Sequence, residues 1–309
     1  MSGLQPRALI TGITGQDGTW LSRVLKTQGY RVFGLVRRVP KEPLNYEPIV
    51  GDIMSYDGIL GALKLSKPDE VYNLAGLTHV GRSYGDPDLT YRVTGLGAAN
   101  VFRAVWEYQR LARWTIKVYQ ASSSEMFGKT TALVQSEKTP FAPISPYACA
   151  KVFAHNVASM YRKMGMKIWC GILFNHESEF RPTSFVTTKI AQAAARGIHI
   201  QLGNLEAIRD WGYAPEYVEG MWSMLQNAPP DDYVLATGES HSVKEFMEYA
   251  YTLVNRDPKH YITFADQEVR PIEAGPLCGD FQKAHDTFGW YPKVLFKDLV
   301  ELLVDYFSR

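Results

Sequence analysis

One short stretch constrains this chain more than any other. An apolar run, Arg7-Ala8-Leu9-Ile10-Thr11, passes straight into Gly12-Ile13-Thr14-Gly15-Gln16-Asp17-Gly18. Trp20, Leu21, Val24 and Leu25 then recur at helical spacing, and Gly29 is placed to end that helix. Each glycine has a physical reason. Gly12 permits the tight turn, Gly15 lets backbone approach a pyrophosphate, and Gly18 allows close helix–sheet contact. The helix N-terminal amides then face the anion. A glycine pattern alone is weak, but one that leaves a strand and opens a helix is a dinucleotide-binding turn. Gly12, Gly15, Gln16, Asp17 and Gly18 are therefore candidate cofactor-binding residues.

The rest of the first half repeats this rhythm. Strands are expected at Arg31–Val36, at about Ile49-Val50, at Glu70–Ala75, at Lys117–Ala121 and at Lys167–Phe174. Helices are expected at Ile59–Leu65, Leu96–Leu111 and Tyr147–Met164. Alternating strands and helices mean a parallel sheet, so the fold class is α/β, a Rossmann-type doubly wound sheet. From Asn175 the texture becomes loop-rich. Helices are expected at about Phe185–Arg196, at Val243–Asn255 behind a Ser242/Glu245 capping box, and at Phe296–Tyr306. We divide the chain into a nucleotide-binding domain, residues 1–174, and a smaller, partly interleaved substrate lobe, residues 175–309, some of which returns to the first domain.

Composition excludes other classes. Hydrophobic residues make up 46% and charged residues 21%, as in a globular chain. Lys and Arg number 33 against 32 Asp and Glu, a balance that leaves no broad basic footprint for nucleic acid. No apolar run approaches the ~20 residues of a spanning helix, and no signal peptide opens the chain. Cys149, Cys170 and Cys278 are few and scattered, which points to a reducing cytoplasm. The seven histidines show no metal-ligand spacing, so no metal is expected. Gly81-Arg82-Ser83-Tyr84-Gly85 fits the hydrolase nucleophile elbow in letters only, because Pro87 and Asp88 interrupt the helix it needs; we read it as a loop, with Ser83 a candidate substrate contact.

Arg37 and Arg38 follow the second strand, where an NAD enzyme often carries an acid for the ribose 2′-hydroxyl. Two cations there favour a 2′-phosphate, hence NADP. Asp52, after the third strand, is placed to accept from the adenine amino group, and Ala75 completes the cofactor set.

Tyr147 and Lys151 are four apart and share a helix face that starts at Pro146. An ammonium near a phenol is expected to lower its pKa and make it a general base toward a sugar hydroxyl. Upstream, Ser122-Ser123-Ser124-Glu125 begins where a strand ends, at the edge where such sheets bind ligands. Glu125 is the informative residue. Dehydrogenation or epimerisation at C4 needs no carboxylate beside the tyrosine, whereas removing a proton next to a new ketone does.

Turn, helical order and Tyr–Lys pair together resemble the extended, sugar-nucleotide branch of the short-chain dehydrogenase/reductases. Within it the chain resembles the GDP-mannose 4,6-dehydratase family over nearly its whole length. The resemblance rests on residues 8–18, Val36-Arg37-Arg38, Tyr147-Ala148, Ala150-Lys151, and the run Gly171 to Ser178. It continues through Phe185-Val186-Thr187, Lys189-Ile190, Gly203-Asn204-Leu205, Arg209 to Gly212, Arg270-Pro271, Glu273 and Gly279-Asp280. It implies catalytic roles for Ser123 (a threonine in the family), Glu125, Tyr147 and Lys151. It implies nucleotide-diphosphate contacts at Asn175, Lys189, Arg209 and Arg270, with Glu273 near a hydroxyl. The family carries a longer insertion where this chain has the shortcut Val39 to Leu44; that insertion builds tetramers, so a homodimer is expected here. Glu179-Phe180-Arg181-Pro182 and Gly76-Leu77-Thr78 also depart from the family near the sugar.

The implied reaction is redox-neutral loss of water from GDP-mannose, giving a 4-keto-6-deoxy sugar. The alternatives are a related dehydratase on another nucleotide sugar such as a GDP-heptose, an epimerase or 4-reductase, and a non-catalytic NADP-binding protein. Glu125 argues against the epimerase, and the intact Tyr147–Lys151 pair against the last.

Overall fold

A computed structural model describes residues 5–41, 43–264 and 271–309. The first half alternates as read. It runs β1 (Arg7–Thr11), α1 (Gln16–Thr27), β2 (Arg31–Val36), β3 (Glu47–Val50), α2 (Tyr56–Ser66) and β4 (Glu70–Asn73). Two single helical turns follow, α3 (Val80–Ser83) and α4 (Pro87–Thr90). Then come α5 (Gly97–Ala112), β5 (Lys117–Ser123), α6 (Pro146–Lys163) and β6 (Lys167–Leu173). Beyond them lie β7 (Asn175–Glu177), α7 (Val186–Arg196), β8 (Ile200–Leu202), β9 (Ile208–Arg209), β10 (Trp211–Tyr213), α8 (Ala214–Asn227) and β11 (Asp232–Leu235). The chain ends through β12 (His241–Ser242), α9 (Val243–Leu253), β13 (Ile262–Phe264), α10 (Gln282–Phe288) and α11 (Phe296–Ser308).

Seven strands form one parallel sheet in the order β11-β6-β5-β4-β1-β2-β3. Strands in such a sheet are apolar on both faces because helices cover both. Alternate residues of β1 show this. Ala8 and Ile10 pack with Leu21 and Leu25 of α1 and Met221 of α8. Leu9 packs on the other side with Leu63 of α2, Val101 of α5 and Ala158 of α6. A third core lies apart from the sheet, where Ile190 of α7, Phe246 of α9 and Leu299 of α11 meet. The Ser242/Glu245 capping box opens α9 as read.

The chain crosses between these cores more than once. After α7 has entered the third core, α8 returns to lie against α1, and β11 adds to the sheet edge beside β6. Sequence reading did not locate α8 or β11. Nor is the segment around Ser83 a loop: His79 Nδ1 accepts from Arg82 N and caps a helical turn there. Among the described residues no helix is long and apolar enough to cross a membrane.

Candidate active site

The cavity opens where the sheet's carboxyl edge meets the third core, and has a volume of about 260 Å³. Tyr147, Lys151, Ser123, Glu125, Asn175, Lys189, Arg209 and Glu273 all line it. Residues up to 150 sequence positions apart, Ser123 and Glu273, thus converge on one space. Arg270 lies outside the described residues.

α6 is seated before its chemistry begins. Ser145 caps it by accepting from Ala148 N at 3.1 Å, and Ser83 Oγ accepts from Tyr147 N at 3.3 Å. Ser83 is buried, donates to Val80 O, and does not line the cavity. Its expected contact with substrate is therefore corrected: the hydroxyl is spent on backbone. Tyr147 hydrogen-bonds Ser123, and Lys151 Nζ donates to Ala121 O at 2.8 Å. His155, one turn further, places Nδ1 2.8 Å from Ser122 Oγ. Its Nε2 lies 3.4 Å from Asp232, which also takes Arg162 at 2.7 Å. His155, Cys170 and Asp232 bring ligand atoms within 4.8 Å of one another, yet Arg162 already neutralises Asp232.

The expected titration of Tyr147 needs a second correction. Burial pushes its phenol up to about 12, with Glu125 adding to the rise while Ser123 and Arg181 oppose it. Lys151 does not reverse this, because its ammonium lies 5.7 Å from the ring centroid and is committed to Ala121 O. Burial also pulls Lys151 down to about 8. Desolvation outweighs the pairing within the protein's own side chains.

Glu125 sits buried in the single turn after β5. Its Oε1 is 3.8 Å from Arg209 Nε, and Arg209 also pairs with Glu273. One guanidinium therefore stands between two carboxylates at the cavity wall.

The glycine turn separates into two kinds of glycine. Gly12 has φ +74°, and a Cβ there would lie 2.8 Å from Ala75 N. A Cβ on Gly18 would lie 2.4 Å from Ile13 Cα. Gly15 has φ −81°, which any residue adopts, and a Cβ would meet only Gly12 O at 3.4 Å. Packing requires glycine at 12 and 18 but not at 15. Arg37 and Arg38 are exposed after β2, and Asp52 Oδ1 accepts from Met54 N after β3.

Sequence reading missed what Gln16 and Asp17 touch. Both reach β7: Gln16 Nε2 donates to His176 O at 3.0 Å, and both Asp17 oxygens lie 3.1 Å from His176 Nε2. It also missed Asp210, whose carboxylate accepts from Thr237 N and Oγ1, Gly238 N and Gly279 N. Burial still raises Asp210 to about 6. Only the runs Asn175 to Ser178 and Arg209 to Gly212 hinted at these partners.

The sequence profile described as GDP-mannose 4,6 dehydratase matches residues 9–303. The chain belongs to the GDP-mannose 4,6-dehydratase family. The family's GDP-mannose 4,6 dehydratase 1 from Arabidopsis thaliana is 44% identical, over 98% of this chain and 90% of its own. The GDP-mannose 4,6 dehydratase of Homo sapiens is 38% identical, over 96% and 90%. Among solved structures, the Thermotoga maritima UDP-glucose 4-epimerase with UDP-glucose superposes with a TM-score of 0.87 at 20% identity, covering 97% of this chain and 98% of that one. The Bacillus anthracis dTDP-glucose 4,6-dehydratase with NAD gives 0.83 at 20%, covering 98% and 96%. These two likenesses establish the fold.

The Asp17–His176 pair makes stability depend on pH. Burial raises the Asp17 carboxyl, but the His176 charge and hydrogen bond and the Gln16 amide overcome this and hold it well below the usual carboxylate range. Burial lowers His176, and Asp17 more than reverses it, leaving the ring above its ordinary 6.5. Arg181 opposes that rise. A raised histidine stabilises the fold fully below its unfolded pKa and ceases to as pH rises through the folded one; a depressed carboxylate does so as pH falls. Thermal unfolding should therefore show a Tm loss as pH rises above 6.5 that Asp17→Asn makes smaller; an unchanged slope in the variant would refute the assignment.

Proposed function

We propose that this chain works as a GDP-mannose 4,6-dehydratase with NADP as its hydride carrier. The observation that carries the reading is Glu125, a buried carboxylate on the same cavity wall as the Ser123–Tyr147–Lys151 group. An enzyme that only oxidises or epimerises C4 has no use for it. The full-length likeness to named dehydratases supports the same reaction.

The turn residues suit a nicotinamide dinucleotide. Gly15 leaves a low wall that nothing in the protein fills, at the N-terminus of α1. The exposed pair Arg37 and Arg38 supports NADP over NAD. A nicotinamide dinucleotide held by this turn would supply a hydride acceptor for sugar C4 and the same hydride for C6. Tyr147 takes the C4 hydroxyl proton once the positive charge of a nicotinamide in this cavity offsets the burial that raises its phenol, and Ser123 steadies the oxygen. The C4 ketone acidifies C5, and Glu125 removes that proton. Glu125 then serves as acid to the leaving C6 hydroxyl, and the proton held by Tyr147 goes to C5 as the hydride is delivered to C6, so one water is lost and no net reduction occurs. Arg209 and Lys189 face the diphosphate, and Asn175 and Glu273 face hydroxyls. Arg270 joins them by its place in the family pattern. Our division at residue 174 separates cofactor turn from sugar-nucleotide lobe only in part, since α8 and β11 return to the sheet.

We place the protein in the cytoplasm, in keeping with three free thiols. A homodimer is supported by α6, where Cys149, Phe153 and Met160 are exposed along one face, with Leu96 exposed nearby.

Incubation with GDP-mannose and catalytic NADP⁺ should give a product lighter by one water, by mass spectrometry, with no net NADPH. Unchanged substrate would sink the reading of the sugar nucleotide. Glu125→Gln should slow turnover by about 10²–10⁴-fold and accumulate reduced nicotinamide, seen by its absorbance; turnover near the parent's would remove Glu125 from the chemistry. Gly15→Ala should keep the parent's Tm but lose NADP⁺ affinity in titration calorimetry. Gly18→Ala should cost about 1–3 kcal/mol of stability instead.

A further inference from the structure

Gln16 and Asp17 form the first turn of α1, where the cofactor turn ends. Asn175, His176 and Glu177 form β7, a wall of the sugar-nucleotide cavity. These segments are far apart in sequence and belong to different proposed sites, yet polar contacts join them side chain to side chain and side chain to backbone. His176 Nε2 lies 3.1 Å from each Asp17 oxygen. Gln16 Nε2 donates to both His176 O and Asp17 Oδ1 at 3.0 Å. Ser178 Oγ donates to Gln16 Oε1 at 3.1 Å.

The geometry leaves His176 little freedom. Its Nδ1 is 2.7 Å from Phe174 O, so both ring nitrogens face acceptors and only the doubly protonated ring satisfies both. The ring stacks on Tyr217 of α8, 4.7 Å between centroids at 18°. Gln16 is buried and has both ends of its amide engaged. A shift of α1's first turn thus cannot occur without moving β7 or breaking a partly buried ion pair.

We propose that the Asp17–His176 pair, braced by Gln16 and Ser178, is a latch that couples the two sites, so that filling the cofactor turn strengthens nucleotide binding in the cavity and the reverse. His176 is in this view a positioning residue. It acts on the cofactor turn through Asp17 and on the cavity through Asn175 and Glu177. The proposal rests on the functional reading above.

A purely structural pair would lower stability when broken but would leave the two affinities independent. The test is therefore the coupling between ligands. NADP⁺ is titrated into the full chain by calorimetry, with and without saturating GDP, and GDP with and without NADP⁺. Linkage requires the same factor in both directions, and a coupled pair of sites gives about fivefold or more. Asp17→Asn and His176→Gln should bring that factor close to one. Gln16→Ala keeps the ion pair and cuts the amide bridge, and should lower the factor even if the other two variants fail to fold. A factor near one in the parent, or a parent-like factor in Gln16→Ala and in whichever of the other variants folds, overturns the latch alone. A parent that binds neither nucleotide overturns the functional reading, and the latch with it.

Discussion

The chemistry of this protein depends on the register of one helix against the end of one strand. Tyr147, Lys151 and His155 recur at every fourth residue of α6 and form a single stripe. Three consecutive residues of β5 receive them: Ser123 takes Tyr147, the Ala121 carbonyl takes Lys151, and Ser122 takes His155. Two of these partners are side-chain hydroxyls and one is a backbone carbonyl. Asp232 of β11 holds His155 and Arg162, which tie the far end of α6 to the sheet edge. A helix shifted by one residue would lose all three contacts together.

Charge that is buried or half-buried is concentrated at the same junction, and each carboxylate is satisfied differently. Asp210 takes backbone amides and one hydroxyl, Asp17 takes an imidazolium, Asp232 a guanidinium and an imidazole, and Glu273 shares Arg209. Such pairs add little net stability, because desolvation offsets most of the attraction, but leaving one partner alone is costly. Their effect is to fix geometry. Apolar packing brings the sheet and the third core together loosely; the ionic contacts define where β7 and β9 stand relative to α1 and β5.

Most of the sheet half was legible in the sequence, and the reason is locality. The strand, turn and helix at residues 7–27, the Tyr147–Lys151 stripe and the position of Glu125 are all set by neighbours within a few residues. What was not legible depends on partners far along the chain. His176 reads as one more histidine until Asp17 is found beside it, and Ser83 reads as a substrate contact on a loop until α6 starts on top of it. Tyr147 reads as an acidified phenol until burial is counted. α8 was obscured by the loop-rich texture around it, and β11, at four residues behind Pro229-Pro230, is too short to announce itself.

The return of α8 and β11 to the sheet has a consequence for how the chain is made. The faces of Tyr119 and Trp169 that α8 and Tyr233 cover stay open until residues past Leu235 have emerged. A ribosome that has finished β6 has therefore released six strands of a seven-stranded sheet, with one face partly bare and one edge unpaired. The third core cannot form first either, since it waits on α11. The face that α8 covers and the third core thus both close only after residues past Leu235 have been made, and exposed strand edges invite association with other nascent chains during that interval. Cutting the gene between the two cores would produce two fragments that each lack a wall, rather than two domains.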